Sequence, residues 1–107
     1  MPKKHCLSLL QTCQGHEDKV WTLAWHPTDH LIITGSSDKR IRVWGKKTDG
    51  TNQLECKSIL DGGHTRTIRS LAWKPTVPAG QMIFASSSFD ATSVVWLKLE
   101  DGDFEPV

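Results

Sequence analysis

An internal repeat is the feature that most constrains this 107-residue chain, because its second half reproduces its first. The matches keep one offset of 48 residues up to a shared proline, and an offset of 52 after four additional residues, 77–80, in the second copy. The matched pairs are Gly15-His16 with Gly63-His64, Leu23-Ala24-Trp25 with Leu71-Ala72-Trp73, Pro27 with Pro75, Thr34 with Ser86, Asp38 with Asp90, Val43 with Val95 and Trp44 with Trp96. The sequence therefore predicts two equivalent modules.

Short apolar runs separated by turn residues predict that each module is a small β-sheet. The run Val20–Trp25 alternates, with Val20, Thr22 and Ala24 predicted on one face and the larger apolar groups on the other, so that both faces can be buried. No segment has a helical period, which predicts an all-β chain. The other predicted strands are 31–35, 40–44, 54–60, 68–73, 82–87 and 92–98.

The repeat resembles the blade of a WD-repeat β-propeller, which has a period in the forties, opens with Gly-His and closes with an Asp and a Trp six residues later; Gly45 stands where the family has an aspartate after the Trp. The resemblance implies two four-stranded antiparallel blades of an incomplete seven-bladed ring. Residues 15–62 would form blade 1 and 63–107 blade 2, while residues 1–14 would supply the outer strand of the closing blade. Because propellers close with about four to eight blades, we expect a fragment or one part of an assembly, with self-association through exposed blade faces.

The resemblance also implies a hydrogen-bonded relay in each blade. Trp donates through its indole N–H to a hydroxyl, which donates to an imidazole, which in turn donates to an aspartate in the turn. A hydrolase that uses Ser86, His64 and Asp90 is the alternative, but the set occurs twice, each time with a Trp, which favours a structural role. The predicted relay residues are His16, Thr34, Asp38 and Trp44, and His64, Ser86, Asp90 and Trp96.

Composition excludes several other classes of protein. Thirteen Lys and Arg against twelve Asp and Glu leave a net charge of +1, which argues against direct nucleic-acid binding through phosphates. No apolar run is long enough to span a bilayer, and the start does not resemble a signal peptide, so we expect no membrane association and a cytoplasmic or nuclear location. The three cysteines form no CxxC pair, and the sequence predicts neither a bound metal nor a cofactor.

Five stretches give a more specific resemblance, to the first two blades of the WD-repeat proteins of cytosolic iron–sulfur assembly. That resemblance implies a non-enzymatic scaffold, which works with other subunits of the iron–sulfur targeting complex and helps clusters reach cytosolic and nuclear apoproteins. A WD-repeat adaptor of a ubiquitin ligase or a chromatin complex, and an inactive fragment, remain the alternatives. The stretches are 40–45, 55–60, 63–69, 88–92 and 103–105.

Propellers usually bind partners through their narrow top surface, and the resemblance assigns six residues of this chain to it. Trp, Phe and Arg are the residue types enriched at interaction hot spots. For Trp21 and Phe89, packing between the two blades is an equally good prediction. The six residues, hereafter the top surface, are Lys19, Trp21, Ser37, Thr67, Arg69 and Phe89.

Overall fold

The structure is a computed structural model, and it describes residues 11–28, 30–48, 53–75, 81–99 and 103–107. These residues contain eight β-strands and no helix, which confirms the all-β prediction. In the described part of the chain, accordingly, no helix is long and apolar enough to cross a membrane.

The first sheet contains four antiparallel strands in the order of the sequence. These strands are β1 (Val20–Trp25), β2 (Leu31–Ser36), β3 (Ile41–Lys46) and β4 (Leu54–Leu60). Each predicted run coincides with a strand to within two residues at either end. The outer strand predicted within residues 1–14 lies mostly outside the described residues, and 11–14 are not in a strand.

The second sheet repeats this arrangement, again with neighbouring strands antiparallel. Its strands are β5 (Ile68–Trp73), β6 (Gln81–Ser88), β7 (Ser93–Leu99) and the short β8 (Glu105–Pro106). Just before β8, Phe104 is buried and packs on Phe84 with ring centroids 5.1 Å apart. The aromatic ring therefore fixes the outermost strand to the interior of its sheet.

The predicted faces of β1 need one correction. Val20 pairs with Ser36 and Thr22 pairs with Gly35, so Trp21 is an extra residue in a β-bulge. Because the bulge shifts the alternation by one residue, Val20 lies on the face of Leu23 and not, as predicted, on that of Thr22. β5 has the same irregularity, between Ile68 and Ser70.

The core lies between the two sheets and includes Ile33 and Val43 of the first and Leu71 and Phe84 of the second. Gly35 permits the close approach of the sheets, since a Cβ atom there would lie 2.5 Å from Cγ2 of Ile68. Val20, Leu23 and Trp25, on the opposite face of β1 from Ala24, are exposed. The alternation of apolar residues in the sequence had allowed both faces of this strand to be buried.

Candidate functional site

The first relay joins four side chains across the first sheet. The Nε1–H of Trp44 donates to Oγ1 of Thr34 at 2.9 Å, and Nε2 of His16 lies 2.7 Å from the same oxygen. Nδ1 of His16 lies 2.8 Å from Oδ2 of Asp38. Since an indole only donates and a carboxylate only accepts, a neutral His16 with its proton on Nδ1 satisfies all four groups.

The second relay has the same geometry. Trp96 donates to Oγ of Ser86 at 2.9 Å, and Nε2 of His64 lies 2.8 Å from that oxygen. Nδ1 of His64 lies 3.1 Å from Oδ2 of Asp90. His64, Ser86 and Trp96 are buried, so the relay operates where an unsatisfied polar group is costly.

Three further residues support the aspartates and were missed by the sequence analysis. Oγ of Ser36 accepts from the backbone N–H of Asp38, and Oγ of Ser88 accepts from that of Asp90. A serine stands two residues before the aspartate in both copies of the repeat, and this shared position could have predicted the role of the two serines. Thr92 donates to Asp90 through its hydroxyl and its N–H, and the first copy has Arg40 at the matching place, so the repeat gave no hint of it.

Both turn aspartates are held in the charged form. Burial raises the pKa of Asp38, but hydrogen bonds from His16 and from the backbone N–H groups of Arg40 and Glu17 outweigh it, and the pKa lies below its ordinary value. The hydroxyl of Thr92 and the N–H of Thr65 lower the pKa of Asp90 far below its ordinary range. A charged carboxylate at each turn suits a role as the final acceptor of the relay.

Five of the six top-surface residues are in contact with one another. Nε1 of Trp21 donates to Oγ of Ser37 at 2.6 Å, and Oγ1 of Thr67 lies 3.3 Å from the same oxygen. The top surface therefore joins the end of the first sheet to the beginning of the second. The backbone carbonyl of Lys19 accepts a hydrogen bond from the N–H of Ser37 at 2.9 Å.

Exposed aromatic rings and one arginine form the centre of the top surface. Trp21 and Phe89 meet edge to face with centroids 6.3 Å apart, and they are still 55% and 53% exposed. Cζ of Arg69 lies 5.6 Å from the centroid of Phe89, in cation–π geometry. The two rings therefore pack against each other between the modules and remain about half exposed; that a partner binds them stays a prediction.

Among the described residues, no group of three or more His, Cys, Asp or Glu side chains is arranged to hold a metal ion. Cys13 is exposed and unpaired, and Cys56 is half-buried and unpaired. The described residues offer two structural relays and one exposed aromatic surface as their candidate functional features.

Curated proteins similar to this chain are named for cytosolic iron–sulfur assembly. "Probable cytosolic iron-sulfur protein assembly protein Ciao1" of Culex quinquefasciatus is 46% identical over 92% of this chain and 27% of its own length. "Protein CIA1" of Arabidopsis thaliana is 35% identical over 90% of this chain and 28% of its own. "Probable cytosolic Fe-S cluster assembly factor" of Schizosaccharomyces japonicus is 38% identical over 94% of this chain and 15% of its own length.

The chain thus spans between 15% and 28% of the length of these relatives. The family model for the WD domain, G-beta repeat, matches residues 7–45 and 54–96, which contain both relays and the top surface. On this match, together with two antiparallel four-stranded sheets, the chain belongs to the WD-repeat family.

Proposed function

We propose that this chain takes part in cytosolic iron–sulfur protein assembly as a non-enzymatic scaffold that binds other proteins. The observation that carries this proposal is that relatives named for this process match about nine-tenths of the chain at 35–46% identity. In finer detail, the chain would contact other subunits of the targeting complex and apoprotein clients in the cytoplasm and, for some clients, in the nucleus.

The geometry of the top surface supports a binding role. The hydrogen bond from Trp21 to Ser37 fixes the indole ring before any partner arrives, and the ring of Phe89 contacts it. Side chains that are already ordered lose less entropy when they bind. Arg69 lies over Phe89 yet remains exposed, so its guanidinium can pair with a carboxylate of a partner protein.

The buried relays support the non-enzymatic part of the proposal. Ser86 is 1% exposed, and its oxygen already contacts Trp96 and His64. A hydrolase needs a nucleophile that its substrate can reach. A serine-reactive phosphonate tests this point directly, and labelling of Ser86 in the folded chain would contradict it.

Affinity capture tests the proposed function. The chain is immobilised, exposed to a cytosolic extract, and the retained proteins are identified by mass spectrometry. We expect iron–sulfur assembly proteins, and we expect Arg69→Ala to reduce their recovery several-fold because the central cation of the top surface is lost. Lys98→Ala is the matched control, since Lys98 lies over another ring, Phe104, at 6.0 Å, away from the top surface.

The identity of the captured proteins decides between the hypotheses. Ubiquitin-ligase or histone components in place of assembly proteins would replace the proposal with the adaptor alternative. Equal recovery with Arg69→Ala and with the wild type would contradict the role proposed for Arg69 in binding.

A further inference from the structure

A cleft of about 450 Å³ lies between the two sheets, at the ends of the strands opposite to the top surface. On the first sheet it is lined by Leu31, which begins β2, and by Lys46, which ends β3, whereas Ser37 of the top surface follows the other end of β2. On the second sheet it is lined by Met82, near the beginning of β6, and by Lys98, near the end of β7. Its volume lies in the range of pockets that bind ligands, about 300–1,000 Å³.

The floor of this cleft is apolar. Val43 and Phe104 are buried there, and Leu31 and Met82 are half-buried. Methionine is a flexible side chain that fills irregular apolar surfaces and adapts to different neighbours. The floor therefore suits an apolar group of a ligand.

Positive charges surround the floor, and we call the site the lysine cleft. Nζ of Lys57 lies 2.7 Å from Oε1 of Glu55, and among the described residues that line the cleft only Asp103 carries a carboxylate. The lysines thus outnumber the two carboxylates near them, and such a balance attracts anionic groups. The three lysines that line the cleft are Lys46, Lys57 and Lys98.

Gly45 contributes to this charge balance. It lines the cleft at the position where the WD-repeat family has an aspartate. A Cβ atom there would lie 2.9 Å from Cγ of Lys57 and 3.0 Å from Cδ2 of Leu31. The glycine therefore leaves room for the stem of Lys57 and adds no carboxylate to the wall.

A segment of the chain itself shows which chemistry the cleft accepts. Oδ1 of Asp103 accepts a hydrogen bond from Oγ of Ser58, on the first sheet, at 2.9 Å. The next residue, Phe104, buries its ring in the floor, and Nζ of Lys98 lies 6.0 Å from the centroid of that ring. An acidic residue followed by an apolar one thus connects the two walls.

We propose that the lysine cleft binds an acidic segment of a partner protein, in which glutamates or aspartates flank one apolar side chain. The apolar side chain packs on Leu31 and Met82, and the carboxylates pair with Lys46 and Lys57. Lysine is a point charge on a flexible stem, so its ammonium group can reach carboxylates at several spacings. This inference does not depend on the proposed function, which uses the top surface at the other end of the strands.

Fluorescence polarisation of a labelled peptide tests the proposal. The probe has one leucine between two pairs of glutamates and is blocked at both ends, so that it carries no terminal charge. We expect saturable binding to the 107-residue chain, weakened several-fold when the leucine is replaced by serine and lost when the glutamates are replaced by lysines. Changes in the peptide leave the fold of the protein unaffected.

Variants of the protein locate the binding. Lys46→Glu and Lys57→Glu are each expected to weaken the affinity for the peptide several-fold, because like charges then face each other. Lys39→Glu is the matched control. It makes the same change of charge in the exposed turn between β2 and β3, at the end of the strands away from the cleft, and it should bind like the wild type.

Methyl NMR of the methionines reports on the floor. The signal of Met82, assigned by its loss in Met82→Leu, is expected to shift as the peptide is added. Absence of binding, wild-type affinity in both Lys46→Glu and Lys57→Glu, equal weakening by Lys39→Glu, or an unchanged Met82 signal would each overturn the proposal.

Discussion

The indole N–H of Trp73 donates to the carbonyl oxygen of Ala24 at 3.1 Å, and this bond crosses from the second sheet to the first. Trp25, which matches Trp73 in the repeat, is mostly exposed. The same residue type at equivalent positions therefore contributes differently to the stability of this chain.

Replacing Trp73 by Phe is expected to lower the free energy of unfolding by about 1–2 kcal/mol, since it removes one hydrogen bond and part of a packed ring. Trp25→Phe is the matched control and should change it by less than about 0.5 kcal/mol. Urea unfolding at a dilute, common protein concentration measures both. Equal losses would contradict the assigned contact.

Replacing Ser86 by Ala is expected to destabilise the chain by about 1–3 kcal/mol, because the buried indole of Trp96 and the imidazole of His64 lose a shared partner. Ser93→Ala removes an exposed hydroxyl from the neighbouring strand and serves as its control. Thermal unfolding followed by tryptophan fluorescence reports the difference. If Ser86→Ala were as stable as the control, the relay would carry no stability.

Acid should destabilise the chain through Asp38 and Asp90. The pKa of each is lowered in the folded state, so the unfolded chain binds protons that the folded chain does not, and stability falls as the pH drops below about 5. Asp90→Asn should be less stable at pH 7 and show a shallower acid dependence. Urea unfolding at several pH values measures this.

Glu105→Gln, which neutralises an exposed carboxylate, is the control for the acid experiment. It should retain the wild-type stability at pH 7 and the wild-type dependence on acid. If Asp90→Asn followed the same pH curve as this control, the proposed contribution of the second turn would be wrong.

Replacing Ala91 by Gly is expected to stabilise the chain by up to about 1 kcal/mol. Ala91 has a φ of 70°, a left-handed conformation that costs an L-residue about 1–2 kcal/mol. Glycine avoids this cost, which is larger than the additional backbone entropy that glycine loses on folding. Ala72→Gly, within β5, should lose stability by about 0.5–1 kcal/mol. Denaturant midpoints of the two variants should move in opposite directions.

The strands and both relays could be placed from the sequence because the two copies reinforce each other. A single Ser, His and Asp would have been ambiguous, but His16 and His64 stand at the same point of each repeat, together with a matching Trp. The two histidines lie in the segments that precede β1 and β5, so the alternation of apolar residues did not predict their contacts at 2.7–3.1 Å; the resemblance to a WD-repeat blade did.

The face of Val20 could not be read from the sequence. Whether Trp21 is accommodated as an extra residue depends on the register with β2, which is set by cross-strand contacts and not by the alternation in β1. The alternation of apolar residues likewise predicted that Leu23 makes an apolar contact. It cannot predict whether another sheet packs over the Leu23 side chain.

Each relay joins two strand residues of one sheet to a histidine and an aspartate in the loops of the same unit, so its hydrogen bonds involve no residue of the other unit. A gene duplication that copies one whole unit therefore copies a complete polar interior along with it. Lengthening a connection, as with the four additional residues of the second copy, requires no compensating substitution inside either unit. This architecture lets the number of units change during evolution while the polar side chains inside each unit keep their hydrogen-bond partners.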